Sequence, residues 1–402
     1  MVVAMFIPKS LKITNATESQ RLEGLAKFGG FFGETIFNTY GGVFAKATTF
    51  NPDAPPRQKR PLRAPAPELH VFNSLDAVPL LLTRYKGGEK GPVILAHGLG
   101  VSSNIFTIDT IETNLTEYLV AHGYDVWLLD FRVSIDLPAS HMESTADDVA
   151  NFDYPAAVAK VKEVTGAETV QMVVHCYGST TFFMSMLAGL QGVQSIVCSQ
   201  IANNVIAVPM TQDKAVLHMP NLMEKLGIQS LTAYTDTHAD WKERLFNDAL
   251  RLYPVQFKEH CTDPTCHRIT FLYSLLYEHA QLNEATHQAL HEMFGVANIH
   301  ALEHLALLVR TKHLVDAKGN EVYMAHLDRL KLPICFIHGA ENQCFLPVST
   351  ELTYNALREA NGKDLYSRHV IPGYGHIDCI YGNDAVKDVY PYMLEHLEAT
   401  LG

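Results

Sequence analysis

Cys176 sits in the turn of Val174-His175-Cys176-Tyr177-Gly178-Ser179, between the apolar run Val170–Val174 and a helix-like stretch from Ser179. A reactive side chain carried on a sharp strand-to-helix turn follows the pattern G-x-S-x-G. Cys176 takes the nucleophile position of that pattern, Gly178 the final glycine and Val174 the first. A thiol suits the task, because it is intrinsically nucleophilic and a neighbouring imidazole can lower its pKa. A free cysteine is more often a small buried hydrophobe, so its surroundings must supply the rest of the chemistry.

Three further stretches supply candidates. His97-Gly98-Leu99-Gly100 directly follows the apolar run Pro92–Ala96. A glycine-rich turn there lets a backbone N–H face a developing oxyanion, with the second N–H coming from the residue after the nucleophile. Leu99 and Tyr177 are therefore the expected donors, and His97, Gly98 and His175 beside them are the expected substrate contacts. Gly373-Tyr374-Gly375-His376 follows the last expected strand. A histidine in such a loop can act as general base and then protonate a leaving group, which singles out His376 among the 20 histidines of the chain. After the run Pro333–His338 comes Gly339-Ala-Glu-Asn-Gln-Cys344, with Asn342 or Glu341 at the acid position. Asn342 is favoured: its side-chain oxygen can fix a ring tautomer, and a Cys–His–Asn set depends less on a carboxylate.

The elements that must hold these groups alternate along the chain. Glu68–Asn73 and Val78–Tyr85 read as a hairpin; Pro92–Ala96, Tyr124–Asp130, Val170–His175, Gln194–Ser199, Pro333–His338 and Tyr366–Ile371 read as strands. Asp109–Ala121, Asp153–Thr165 and Ser179–Leu190 read as helices between them. Fully apolar runs alternating with helices predict an α/β class fold, a mostly parallel sheet with helices on both faces. Between Ile201 and Leu332 helix-period segments such as Trp241–Leu252 and Ala301–Val309 dominate, and a structureless loop of that length is implausible. The expected organisation is an N-terminal arm and tether over 1–67, a core over 68–203 and 333–402, and a helical cap over 204–332 inserted between two late strands.

The composition excludes other classes. A net charge of −12 opposes nucleic-acid binding, which needs a basic surface. Apolar runs such as Val170–Val174 fall far short of the roughly 20 residues that span a bilayer, so no transmembrane segment is expected. Seven scattered cysteines suit reduced thiols better than a disulfide framework, and no export signal is visible at the N-terminus; the expected location is cytoplasmic. The aromatic, glycine-rich stretch Phe28–Phe37, followed by a basic tether Pro55–Arg63, can contact a membrane surface or a partner, a second copy of the chain included. Packing on the chain's own domain is the favoured reading. No metal is assigned. Cys261-Thr-Asp-Pro-Thr-Cys266-His267 brings only three soft ligands together without a second Cys-x-x-Cys, and reads as a turn between cap helices. His300 and His304 lack the H-E-x-x-H pattern, and Asp130 and Arg132 read as loop anchors.

The order nucleophile, acid position, histidine is similar to that of the α/β-hydrolase fold. Tyr124-Asp-Val-Trp-Leu128, Asp153-Tyr-Pro-Ala-Ala157 and His376-Ile-Asp-Cys-Ile-Tyr-Gly-Asn-Asp-Ala385 with Val389-Tyr390 resemble the acid lipases that cleave neutral lipid esters. The His-Cys-x-Gly-Ser elbow, the Gly-Ala-Glu-Asn segment and the Gly-Tyr-Gly-His-x-Asp ending resemble, more closely, the hydrolase-like domain fused to cholesterol-oxidase-type (GMC) flavoenzymes. The likeness runs from about Phe28 to the C-terminus. Cys176 for serine, Val174 for glycine and Asn342 for aspartate depart from acid lipases and argue against ordinary triglyceride hydrolysis. No G-x-G-x-x-G opens a helix after an early strand, so no cofactor is expected. The resemblance implies a small, apolar, lipid-like or steroid-like acyl substrate, cleaved at an ester, thioester or lactone. An acyltransferase using the same residues and a non-catalytic ligand-binding protein are the alternatives.

Overall fold

A computed structural model describes residues 49–216 and 230–401, except 252 and 254. The aromatic stretch Phe28–Phe37 therefore lies outside the described residues. Within them the chain forms β1 (Glu68–Asn73), β2 (Pro79–Lys86), β3 (Lys90–Ala96), α1 (Leu115–Ala121), β4 (Tyr124–Asp130), α2 (Tyr154–Thr165), β5 (Val170–His175), α3 (Tyr177–Ala188) and β6 (Val193–Ser199). After a long insertion come β9 (Ile334–Gly339), α8 (Val348–Asn361), β10 (Tyr366–Ile371) and α9 (Tyr390–Ala399); α4–α7 and β7–β8 belong to the insertion.

Eight strands make one sheet in the order β1-β2-β4-β3-β5-β6-β9-β10. β1, β2 and β4 pair antiparallel; every pairing from β4 to β10 is parallel. All of β4 and β5 is buried, as expected of strands covered on both faces. β3 lies between β4 and β5, so the chain leaves β4 on one side and resumes on the other. Such a switch point opens a crevice at the carboxyl ends of the strands.

The predicted strands agree with the observed ones to within a residue or two. The predicted helix Asp109–Ala121 is shorter than expected and begins at Leu115. Asn114 caps it through a hydrogen bond from Glu117 N, with the Glu117 carboxylate returning to Asn114 N. This capping box fixes a start, and Asp109 upstream instead binds the Arg57 guanidinium at 2.6 and 2.8 Å.

The insertion between β6 and β9 holds α4 (Pro209–Val216), α5 (Trp241–Leu250), α6 (Pro264–Tyr273) and α7 (Ile299–Thr311). It also holds a short antiparallel ribbon, β7 (Ser230–Thr232) with β8 (Val296–Asn298). The described part of the tether runs across both halves. Arg57 bridges Asp109 of the core and Glu292 of the insertion, while Arg60 pairs with the buried Glu117. Asp130 accepts hydrogen bonds from Ser103 and Ser134, and Arg132 joins Asp76 to Asp153. Both residues anchor loops around the crevice.

Candidate active site

Cys176 has φ 57° and ψ −126° at the junction of β5 and α3. A non-glycine residue held in so sparse a region costs on the order of 1–3 kcal/mol, and its neighbours must over-determine it. Cys176 N donates to Ser199 O at 3.0 Å, and Thr180 N donates to Cys176 O at 3.1 Å. A Cβ on Gly178 would lie 2.1 Å from His97 O, so only glycine fits under the His97–Gly100 turn. On the other side, a Cβ on Gly98 would lie 3.0 Å from Cys176 Cβ. Gly178 lets the elbow meet the backbone of the turn, and Gly98 leaves room for the Cys176 side chain.

That closeness sets the local electrostatics. The N–H groups of Tyr177 and Leu99 both approach the Cys176 sulfur and favour its thiolate. Burial outweighs them and pushes the thiol up to about 12. His376 lines the same cavity, and burial, with His175 and His338 nearby, holds its pKa well below the ordinary imidazole value. Burial thus favours the neutral thiol and the neutral imidazole. Without a counter-charge, burial disfavours both ions.

The loop carrying His376 is wedged in place. His376 N and Ile377 N both donate to Leu276 O of the insertion, at 3.0 and 2.7 Å. A Cβ on Gly339, at the end of β9, would lie 1.8 Å from Gly375 O. Asp378 Oδ2 accepts from Gly375 N at 2.9 Å and from Glu278 N at 3.1 Å. Asn342 is buried against the imidazole, with Nδ2 3.0 Å from His376 Nδ1; Glu341 is exposed.

The end of Asn342 that faces the ring differs from expectation. Its Oδ1 already accepts from Cys344 N and Phe345 N, both at 2.9 Å. Its Nδ2 donates to Gln200 Oε1 at 2.8 Å, leaving the other N–H for His376 Nδ1. In that arrangement Nδ1 accepts and the ring proton falls on Nε2, which is buried without a hydrogen-bond partner.

Other expected contacts divide. Gly98, Leu99 and His175 line the cavity with Cys176 and His376. The His97 ring does not: it is fully buried, stacked on Phe131, with Nδ1 2.7 Å from Gly98 O and Nε2 3.6 Å from Asp130. It supports the turn from behind.

Two residues escaped the sequence reading. Gln200, just past β6 with φ 85°, donates from Nε2 to His376 O at 2.8 Å and so ties Asn342 to the histidine loop. Lys214 of α4 lines the mainly apolar cavity, donating to Phe271 O at 2.7 Å, and burial lowers its pKa to about 8. No motif marks either one.

The sheet is an α/β class fold, mostly parallel with helices on its faces, and its order and strained elbow are consistent with the α/β-hydrolase fold. Residues 91–251 match the family model described as the alpha/beta hydrolase fold. The chain is similar to Triacylglycerol lipase 1 of Arabidopsis thaliana, 21% identical over 81% of this chain and 84% of that one. It is likewise similar to Lipase member K of Mus musculus, 23% identical over 79% and 82%. Lipase lipl-3 of Caenorhabditis elegans is 32% identical, but over only 25% of this chain and 27% of that lipase's length. Among solved structures, Esterase (EaEST) from Exiguobacterium antarcticum superposes with a TM-score of 0.51 at 13% identity, covering 82% of this chain and 98% of that one. At such identity the likeness is one of fold alone.

Proposed function

We propose that the chain is a lipase- or esterase-type hydrolase that uses Cys176 to cleave an ester, thioester or lactone of a lipid-like or steroid-like acyl substrate. The observation that carries this reading is the position of Cys176: a strained elbow residue whose sulfur meets two backbone N–H groups and opens into an apolar cavity. In the reaction the sulfur attacks the carbonyl carbon, the thiol proton passes to His376 Nε2, and the Leu99 and Tyr177 N–H groups hold the oxyanion. Collapse expels the leaving group, which takes that proton; water then adds to the acyl-sulfur bond and releases the acid. The insertion acts as a cap over the acyl chain. Similarity to lipases supports the ester class, and the resemblance to the flavoenzyme-fused domain supports a steroid-like shape.

Asn342 constrains this scheme. His376 Nε2 can accept a proton only if Nδ1 carries one, and Asn342 Nδ2 already donates toward Nδ1. Proton transfer therefore requires the Asn342 amide to turn. The same observation favours a second reading, a member of the fold that binds an apolar ligand without turning it over. A panel of esters and thioesters of varied chain length, run beside Cys176→Ala, separates the two. Turnover lost in Cys176→Ala supports the enzyme, and turnover surviving it overturns the mechanism. Binding without turnover, equal in both proteins, supports the second reading. Products formed with and without an added alcohol or amine distinguish hydrolysis from acyl transfer.

A further inference from the structure

The sequence reading assigned no metal because Cys261, Cys266 and His267 were too few. The fold changes the set. Cys261, Cys266, His279 and His287 each direct one ligand atom into a common space, and all four atoms lie within 4.8 Å of one another. They come from the approach to α6, its first turn, the turn His279–Gln281 and the short helix Glu284–Gln288. We propose that these four side chains form a structural zinc(II) site that staples the insertion beside the histidine loop.

The geometry suits that ion. Zinc–sulfur bonds of about 2.3 Å and zinc–nitrogen bonds of about 2.0 Å place the corners of a tetrahedron roughly 3.3–3.8 Å apart. Cys266 Sγ and His279 Nε2 are already 3.5 Å apart. Two sulfurs and two imidazole nitrogens in a closed tetrahedron are the donor set of structural zinc. When zinc(II) binds, each thiol releases its proton to solvent, and two thiolates neutralise the dication. The complex carries no net charge and tolerates burial.

The supporting groups are also in place. Glu259 Oε2 accepts from His279 Nδ1 at 2.7 Å, which leaves the Nε2 lone pair for the metal. A carboxylate orienting a histidine ligand in this way is a recurrent feature of zinc sites. Tyr277 donates its hydroxyl to Cys266 Sγ at 3.0 Å. His287 Nε2 is buried without a hydrogen-bond partner, while its Nδ1 lies 4.0 Å from Asp263. His267 is not part of the set, since its Nε2 lies 3.1 Å from Cys261 O.

The location says what the staple does. Leu276, which receives both His376 N and Ile377 N, and Glu278, which donates to Asp378, lie between Cys266 and His279. Zinc would fix the segment on which the His376 loop rests. This holds whether or not Cys176 is a nucleophile, so the two readings fail separately.

The test is metal analysis of the full chain, purified under reducing conditions and supplied with zinc(II) or cobalt(II). One zinc per chain is expected. Cobalt should give thiolate-to-cobalt charge-transfer absorption together with the intense visible bands of a four-coordinate ion. Cys266→Ser should remove the charge-transfer intensity in part or bind no metal. Glu259→Gln, which retains all four ligands, should weaken zinc about 10–100-fold. No stoichiometric zinc in the wild-type chain, a six-coordinate cobalt spectrum, or a Cys261–Cys266 disulfide in the reduced-purified protein would each overturn the site. Since the wild-type result alone decides, a variant that fails to fold does not blunt the test.

Discussion

Asn342 presents its amide nitrogen, not its oxygen, to His376, with Nδ2 3.0 Å from Nδ1. The orientation follows from the other end of the same amide. Oδ1 is held by two backbone N–H groups, and turning it would set donor against donor. The site is thereby biased toward a neutral imidazole whose proton sits on Nε2.

Asn342→Asp should reverse that bias. One carboxylate oxygen keeps the Cys344 and Phe345 N–H groups, and the other accepts a hydrogen bond from His376 Nδ1–H. Gln200 must turn its own amide to face the new charge. An adjacent carboxylate raises an imidazole pKa by about 1–3 units. The Cys176 thiolate then gains a counter-ion, and iodoacetamide labelling of Cys176 at pH 7, read by peptide mass spectrometry, should accelerate about tenfold or more. An unchanged rate would show that Asn342 does not set the charge state of the pair.

The wild-type thiol makes its own prediction. With burial pushing Cys176 up to about 12, the thiolate fraction grows with pH across the accessible range. Labelling should rise roughly tenfold per pH unit from 7 to 10. A plateau near neutrality, the mark of an ion pair, would mean that the Asn342 amide has turned in solution.

Gly178→Ala tests the contact between elbow and oxyanion turn. A Cβ there would meet His97 O at 2.1 Å, a backbone atom that cannot swing aside. Overpacking of this kind costs about 1–3 kcal/mol, and more where the backbone must shift. Urea unfolding should show at least that loss, whereas a stability equal to wild type would mean that the turn is pliable.

The sheet was legible because strands buried on both faces read as apolar runs, unbroken in Pro92–Ala96. Cys176, Gly98 and His376 were legible because strand ends followed by glycines are conspicuous. What the sequence concealed lies in orientation and in distance. Residue type does not say which end of Asn342 meets the ring, because that depends on the N–H groups of Cys344 and Phe345. Gln200 and Lys214 enter the site only through the packing of β6 and α4. His279 follows Cys266 after twelve residues, but His287 follows after seven more, wider than the three to five of the usual zinc pattern, so only the fold brings it to the set. His97 misled in the opposite sense: it adjoins the oxyanion turn but turns its ring away, onto Phe131.

Lys214 should make the cavity sense charge. Burial lowers its pKa to about 8, so the ammonium is present at pH 7 and largely lost by pH 9. Decanoate should bind more weakly as pH rises through that interval, by at most about tenfold per unit, while decanol should be indifferent. Lys214→Met should abolish the difference between the probes. Calorimetric titration at pH 7 and pH 9 measures it, and equal decanoate affinities in the wild-type chain would place Lys214 outside the binding surface.

Asp378 links stability to pH in a definite direction. It is fully buried, Oδ1 has no hydrogen-bond partner, and burial raises its pKa from 3.8 to about 7. The unfolded chain releases this proton near the ordinary carboxylate pKa, whereas the folded chain holds it to about 7. The resulting stabilisation is full below pH 3.8 and is lost as pH rises through 7, with an upper bound of about 4 kcal/mol. Asn at this position mimics the protonated acid and keeps an oxygen for Gly375 N and Glu278 N. Asp378→Asn should therefore differ least from wild type below about pH 4 and exceed it in urea unfolding at about pH 8.5. The gap between the two proteins should open between about pH 4 and pH 7 and stay level above. A constant gap across the range would mean that Asp378 titrates normally and that water reaches the histidine loop.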